Sequence, residues 1–264
     1  MAGADPSTIR FFLFSGGIIF FLIFELAASY RPGTIPKIKR WAINISLTLF
    51  NSIILNLFFA AAVIKAIAYV TDHRLGVLNI IELPRWVTIL VTVAFMDFML
   101  YVWHLLNHEM PLLWRFHRVH HSDLDMDVST ATRFHIGELA ISSVIKIALI
   151  FFLGADFSGV LIFESALVLA AQFHHSSLRV PGWLETFLWI LFVPPSMHRI
   201  HHSVVIKERN TNYGTIFSIW DRILGTLLTH VDQDRIRIGV GAYQRQKELN
   251  FHHLLVMPFN KSIR

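Results

Sequence analysis

Cysteine is absent from the 264 residues, which excludes a disulfide framework, an iron–sulfur cluster and a thiolate-ligated haem held by this chain. Electrons for any redox chemistry must then arrive from another protein. Charge is scarce as well. Asp, Glu, Lys and Arg make up 16% of the chain against 54% hydrophobic residues, and the mean hydropathy of +0.53 is too high for an ordinary soluble domain of this size. No basic stripe or RNA-binding motif accompanies the net charge of +5, because Lys and Arg are scattered at the ends of apolar runs, so no nucleic-acid partner is expected. Internal repeats and low-complexity tracts are missing. So are the Glu-x-x-His pairs that build carboxylate-rich di-iron sites in helical bundles.

Long hydrophobic runs are plentiful. Residues 11–29, bounded by Arg10 and by Arg31-Pro32-Gly33, are numerous enough at about 1.5 Å per residue to cross about 30 Å of hydrocarbon. This run contains Glu25 and lacks a small-residue cleavage site, so it reads as a retained span rather than a signal peptide. Residues 43–70 exceed one crossing and are expected to tilt or to continue past the interface. Residues 86–106 lead directly into a histidine pair. Residues 139–173 are interrupted by Gly154-Ala155-Asp156, which predicts a hairpin of two shorter helices that need not cross fully. Residues 183–193 form a short aromatic stretch ahead of Pro194-Pro195, suited to a helix lying in the interface. After Ser203 the chain is more polar. The expectation is an all-α integral membrane protein with about 4–5 hydrophobic helices, forming a single domain over 1–264. Within it, 1–106 would be mainly transmembrane, and 107–264 would carry the histidine-rich region, the membrane hairpin 139–173 and a cytosolic cap.

Arg31, Lys37, Lys39 and Arg40 lie between the first two spans, which predicts that this loop faces the cytoplasm. Counting crossings from there returns the chain to the cytoplasmic face near His104, and the hairpin brings His174 and His175 back to it. All the histidine clusters therefore converge on one face.

Those clusters are His104-x-x-x-His108, His117-x-x-His120-His121 and His198-x-x-His201-His202. Offsets of three and four place the imidazoles on one side of a helix, within reach of a common metal centre. Independent placement of 15 histidines among 264 positions gives about 0.05 His-x-x-His-His patterns per chain, and this chain has two. Histidines also collect at membrane interfaces because they are amphipathic, but imidazoles this dense repel one another when protonated, and metal coordination by neutral rings resolves that. Imidazole suits zinc, copper, iron and nickel alike. Eight ligands are too many for one tetrahedral zinc and fit a dimetal centre of higher coordination number. An all-nitrogen shell at a membrane face, with a position open to oxygen, fits a non-haem iron oxidase. A zinc-dependent membrane hydrolase and a bis-histidine haem protein are the alternatives. A metal transporter fits less well, since its polar residues would sit mid-span and these sit at span ends.

The boxes and their linkers resemble the fatty acid hydroxylase and sterol desaturase superfamily. The likeness runs over 103–226 and includes Thr130-Ala-Thr-Arg-Phe-His135, His175-Ser-Ser-Leu-Arg-Val-Pro181, Asn212-Tyr-Gly and Trp220-Asp-Arg-Ile-Leu-Gly-Thr226. Within that superfamily the chain is most similar to bacterial sterol-desaturase-type proteins, with alkylglycerol monooxygenase a longer relative. The resemblance implies that His104, His108, His117, His120, His121, His198, His201 and His202 ligate metal, with His175 a further ligand. Some relatives carry another histidine four residues before the one matching His175; here that position is Ala171, which leaves His174 as a candidate substitute. His135 is a further candidate, the other reading being a hydrogen-bonding partner of a ligand. Asn212 and Asp221 would orient imidazoles or fix a loop against the cluster, and Trp220 would pack beneath it. Arg118 and Arg199 would meet lipid phosphate or an acidic electron donor, or lie on a solvated face. His73, His230, His252 and His253 fall outside the pattern as surface positions.

The implied activity is oxygen-dependent hydroxylation or desaturation of a lipid (a sterol, a fatty acyl chain or an alkyl ether) by two non-haem iron ions, for which zinc can substitute in purified protein. The implied partners are the lipid, the membrane and an external electron donor of cytochrome b5 or ferredoxin type. The implied location is a bacterial inner membrane, with the active site on its cytoplasmic face.

Overall fold

The computed structural model describes residues 6–260, so the ends of the expected 1–264 domain lie outside the described residues. Among the described residues there is no strand, only isolated bridges such as Ser29 with Leu178 and Ser203 with Ile238. Five helical segments are long and apolar enough to cross a membrane. The first is α1 (Pro6–Ala27). The second joins α2 (Lys37–Leu55), a π-turn over Asn56–Ala60 and α3 (Ala61–Asp72) into one continuous helix. At about 1.5 Å per residue this helix outruns a hydrocarbon thickness of about 30 Å, as the over-long apolar run predicts. The others are α4 (Arg85–Glu109), then, after a short α5 (Pro111–His121), α6 (Ile136–Leu153) and α7 (Phe157–His175).

The hairpin expected over 139–173 is present, but its arms are of full crossing length, 18 and 19 residues, rather than the short helices anticipated. The break is chemically defined. Gly154 closes α6 in the left-handed conformation at φ 79°, and the Asp156 carboxylate caps α7 by accepting from Gly159 N–H at 2.7 Å. Gly76, at φ 90°, passes so close that a Cβ placed on it would lie 2.2 Å from the Gly154 nitrogen.

Prolines set the other turns. Pro111 cannot extend the α4 hydrogen-bond ladder, Met110 before it is extended, and α5 starts in a new direction with Pro111 in its first turn. Beyond α7 come α8 (Gly182–Leu191), α9 (Pro195–His201), α10 (Ile206–Arg209), α11 (Ile219–Leu224) and α12 (Phe251–Val256). No residue of α8 is buried, and Trp183, Phe187 and Ile190 are exposed on it. Trp189 anchors α8 to the Ile200–Ile236–Ile238 cluster, and the apolar face left exposed suits an interface.

The spans bury few residues and point Phe20, Ile53, Leu90, Val144 and Phe152 outward, as helices solvated by lipid do. At the far end of the bundle Ile67, Val70, Ile150 and Val160 share an apolar cluster. At the other end Leu47 and Val119 meet Leu249, Leu254 and Met257, so the C-terminal segment closes over α2 and α5. Most of the buried polar residues collect at this closed end.

Candidate metal centre

α4, α5, α7 and α9 all end or lie at the closed end, and each delivers histidines to one buried volume. The side chains fall into two groups. His104, His108, His117, His121 and His201 form the first; His120, His175, His198 and His202 form the second, with the ring nitrogens of each group within 4.8 Å of one another. Two trans nitrogens about 2.1 Å from one ion stand about 4.2 Å apart, so each group has the dimensions of one coordination sphere. All nine residues are buried.

Each His-x-x-His-His box is divided between the groups. His117 and His121, four apart, point one way and His120 the other; His198 and His202 join the second group while His201 crosses to the first. Helix geometry accounts for this: positions i and i+4 are about 40° apart around the axis, whereas i+3 and i+4 are separated by about 100°.

Hydrogen bonds to outer atoms orient the rings. Nδ1 of His104 donates to Tyr213 O at 2.7 Å, that of His120 to Arg133 O at 3.2 Å, that of His175 to Ala171 O at 2.7 Å and that of His201 to Thr211 O at 2.8 Å. His117 Nδ1 faces Glu138 Oε1 at 2.8 Å. With Nδ1–H directed outward, a neutral imidazole turns an Nε2 lone pair inward. His120 and His175 thus bring two acceptor nitrogens to 3.0 Å, a contact no hydrogen bond explains. Two ligands about 2.1 Å from one ion at about 90° stand at this separation. The buried Nε2 of His104 and of His201 has no hydrogen-bond partner at all. Inward lone pairs, a missing donor and an all-imidazole set fit a metal ion in each group.

His120, His121, His198, His201 and His202 titrate well below the ordinary imidazole value, first because burial disfavours the cation and then because neighbouring rings repel it. They are held neutral, the form that binds metal.

His174 adjoins the second group: its ring lies 3.9 Å from that of His198 and its Nδ1 donates to Thr215 O at 3.2 Å. His135 is not brought to either group. Its Nδ1 accepts from Gly137 N–H at 2.9 Å as the cap of α6, and its Nε2 donates to Leu255 O at 3.1 Å. Asn212 donates to Met197 O and Leu228 O, and Asp221 accepts from Tyr213 N–H, Gly214 N–H and Thr226 Oγ1. Together they clamp the 211–215 loop, whose carbonyls receive His104, His174 and His201. Trp220 donates to Asp97 Oδ2 at 2.8 Å and packs against Phe98.

Two expectations are corrected. Arg118 and Arg199 face neither solvent nor headgroups. Arg118 is fully buried and donates to Met257 O and Asn260 O, and Arg199 lies 3.8 Å over the Tyr30 ring with Gln233 Oε1 at 2.7 Å. Both occupy the i+1 position of a His-x-x-His-His box, which points away from the histidines into the closing segments. His73, His230, His252 and His253 are exposed.

Several groups had no signal in the sequence. Glu138 is one. Asp97 is another, accepting from Ile216 N–H and Phe217 N–H as well as from Trp220. Arg40 pairs with Asp123 at 2.6 Å and Asp127 at 2.9 Å, and Arg133 donates to Val119 O, Asn44 Oδ1 and Ser122 Oγ. Burial raises the Asp123 carboxyl, but the Arg40 and Arg133 charges outweigh it and hold the group well below the usual carboxylate range. These pairs tie α2 to the segment after the second box.

Beside the histidines a cavity of about 370 Å³ runs between α1, α4, α6 and α7. His104, His117, His120, His175 and His198 form one end, and Met96, Leu100, Leu149, Phe163 and Leu167 wall the remainder.

A bundle of apolar spans with a polyhistidine cluster able to hold metal at one end and an apolar cavity leading to it defines an integral-membrane class of protein. The chain belongs to the fatty acid hydroxylase family, whose pattern matches residues 89–226. It is 35% identical over 148 residues to the ornithine lipid hydroxylase of Rhizobium tropici, covering 54% of this chain and 42% of that protein. It is 28% identical over 162 residues to human alkylglycerol monooxygenase (60% and 35%) and 30% identical over 146 residues to human cholesterol 25-hydroxylase (53% and 51%). The matched part of the chain thus spans about half or less of the length of these relatives. No solved structure is significantly similar. The five apolar helices, with relatives that act on membrane lipids, make this a multi-pass membrane protein.

Proposed function

We propose that this protein is an oxygen-dependent lipid hydroxylase or desaturase with two non-haem iron ions. The observation that carries the reading is the junction of nine buried histidines with an apolar cavity between the spans. His104, His108, His117, His121 and His201 would hold one ion, and His120, His175, His198 and His202 the other, with His174 beside the second. Iron held there supplies the redox chemistry that oxidises an unactivated carbon–hydrogen bond with dioxygen.

The chain's own contribution is position and dryness. Outward Nδ1–H bonds to fixed carbonyls and to Glu138 hold the Nε2 lone pairs of His104, His117, His120 and His201 in place before metal arrives. The apolar walls exclude water and fix an alkyl chain against the histidine end. Hydroxylation, desaturation and ether oxidation share the first hydrogen abstraction and differ in which carbon these walls present. The relatives named for hydroxylation of ornithine lipid, alkylglycerol and cholesterol support a lipid substrate.

Arg40 pairs with Asp123 just after the second box, so the loop carrying Arg31, Lys37 and Lys39 lies at the histidine end, which supports a centre facing the cytoplasm; the membrane proposed is a bacterial inner membrane. The chain has no cysteine for a cluster of its own, so the electrons come from an external donor of cytochrome b5 or ferredoxin type.

The test compares lipid extracts of cells with and without the protein, under air and under anoxia. A precursor that is consumed only with protein and oxygen together supports the proposal. Turnover that persists without oxygen identifies a zinc-type hydrolase instead and overturns it.

A further inference from the structure

Asn107 lies one turn beyond His104 on α4 and faces the cavity beside the first histidine group. It is 1% exposed, and neither its Oδ1 nor its Nδ2 has a hydrogen-bond partner. Lys146, Gln172 and Glu138 on these walls are each at least partly engaged: Lys146 pairs with Glu164 at 2.6 Å, Gln172 Nε2 donates to Phe14 O, and Glu138 Oε1 accepts from His117 Nδ1. Asn107 has both its donor and its acceptor open. A buried amide left unpaired costs more than a hydrogen bond gains, so the position makes sense when something in the cavity answers it.

We infer that Asn107 binds a substrate group that both donates and accepts a hydrogen bond, a hydroxyl or an amide, so that the lipid lies polar end first against the histidines. The carbon presented for oxidation is then the one bearing or adjoining that group. The alkyl chain runs away along Met96, Leu100 and Phe163. A lipid inserted tail first would leave the Asn107 amide desolvated and unanswered. The inference rests on the cavity being the lipid site of the proposed enzyme.

The test is equilibrium binding of two radiolabelled probes of equal chain length, 1-hexadecanol and 1-methoxyhexadecane, to the full chain in lipid nanodiscs with its metal content measured. The methoxy probe cannot donate, which leaves Oδ1 unpaired, so the wild type is expected to bind hexadecanol about tenfold more tightly. Asn107→Leu, which keeps the branching at Cγ and removes both polar atoms, is expected to abolish that preference at unchanged metal content while keeping affinity for the methoxy probe. Equal binding of the two probes by the wild type overturns the inference without any variant, and so does a preference that survives Asn107→Leu. A preference that disappears with Asn107→Leu supports it even if neither probe is oxidised in air; that last result would count against the hydroxylase reading alone.

Discussion

Glu138 tests how the protein tunes its histidines. Its Oε1 accepts from His117 Nδ1 at 2.8 Å, and the residue is 4% exposed, whereas His104 and His201 of the same group donate to neutral carbonyls. A hydrogen bond to a charged partner is worth about 1.5–3 kcal/mol and a neutral one about 0.5–1.5 kcal/mol. Glu138→Gln keeps an oxygen in place but removes the charge, a difference of about 1 kcal/mol, which lowers the affinity of the first group for its ion about fivefold. Glu138→Ala also leaves a buried N–H without a partner and costs about 2–3 kcal/mol, roughly 30- to 150-fold. In the second group the Nδ1–H of His120 and of His175 donate to Arg133 O and Ala171 O rather than to Glu138. Metal per chain, measured by mass spectrometry across a chelator titration, should therefore fall from two towards one in Glu138→Ala, with Glu138→Gln between. Wild-type affinity in both variants, or equal loss from both groups, would refute the reasoning.

The divided boxes predict that His201→Ala empties the first group and His120→Ala the second, so each variant keeps about one ion in the same measurement; a result in which either one empties both groups argues for a single shared site. Asp97→Ala strands the Ile216 and Phe217 amides and the Trp220 indole N–H, each worth about 1–3 kcal/mol when buried unpaired, and should lower the thermal midpoint in detergent sharply, whereas Asp97→Asn should recover part of the loss. For acid, the sign follows from burial. His120, His121, His198, His201 and His202 sit below their unfolded value of about 6.5, so the unfolded chain binds more protons beneath that pH, and stability is present above it and falls by up to about 1.4 kcal/mol per pH unit per histidine on descending. Thermal melts and metal retention should both decline between about pH 6.5 and 5, and flat profiles would count against neutral buried rings. Gly76→Ala should destabilise the far end by about 2 kcal/mol or more, because φ is 90° and the added methyl meets the Gly154 backbone; unchanged melting would contradict that packing.

Much of this was legible in the chain because it depends on local periodicity. Apolar runs of crossing length, the Gly154–Asp156 break and the i, i+3, i+4 spacing of histidines are each set by residues within a turn or two of one another. The Gly154–Asp156 break falls where expected, but the apolar run 139–173 understates the arms, because α6 begins at Ile136 and takes in Glu138 while α7 continues through His174 and His175. Glu138 and Asp97 were missed for a different reason: a lone acidic residue inside an apolar helix does not reveal its partner, and these partners lie 21 residues away at His117 and about 120 residues away at Ile216 and Phe217.

By itself, then, the sequence determined the membrane class, the helical architecture and the set of imidazoles, since hydropathy and helical pitch are properties of a single segment. Only the tertiary structure decided how those imidazoles are shared. It sent His120 to one group and His117 and His121 to the other, set His174 beside the second group, assigned His135 to capping α6, and turned Arg118 and Arg199 inward. Each of these depends on which helix packs against which, and two histidine groups, each drawn from three helices, are specified only when those helices meet.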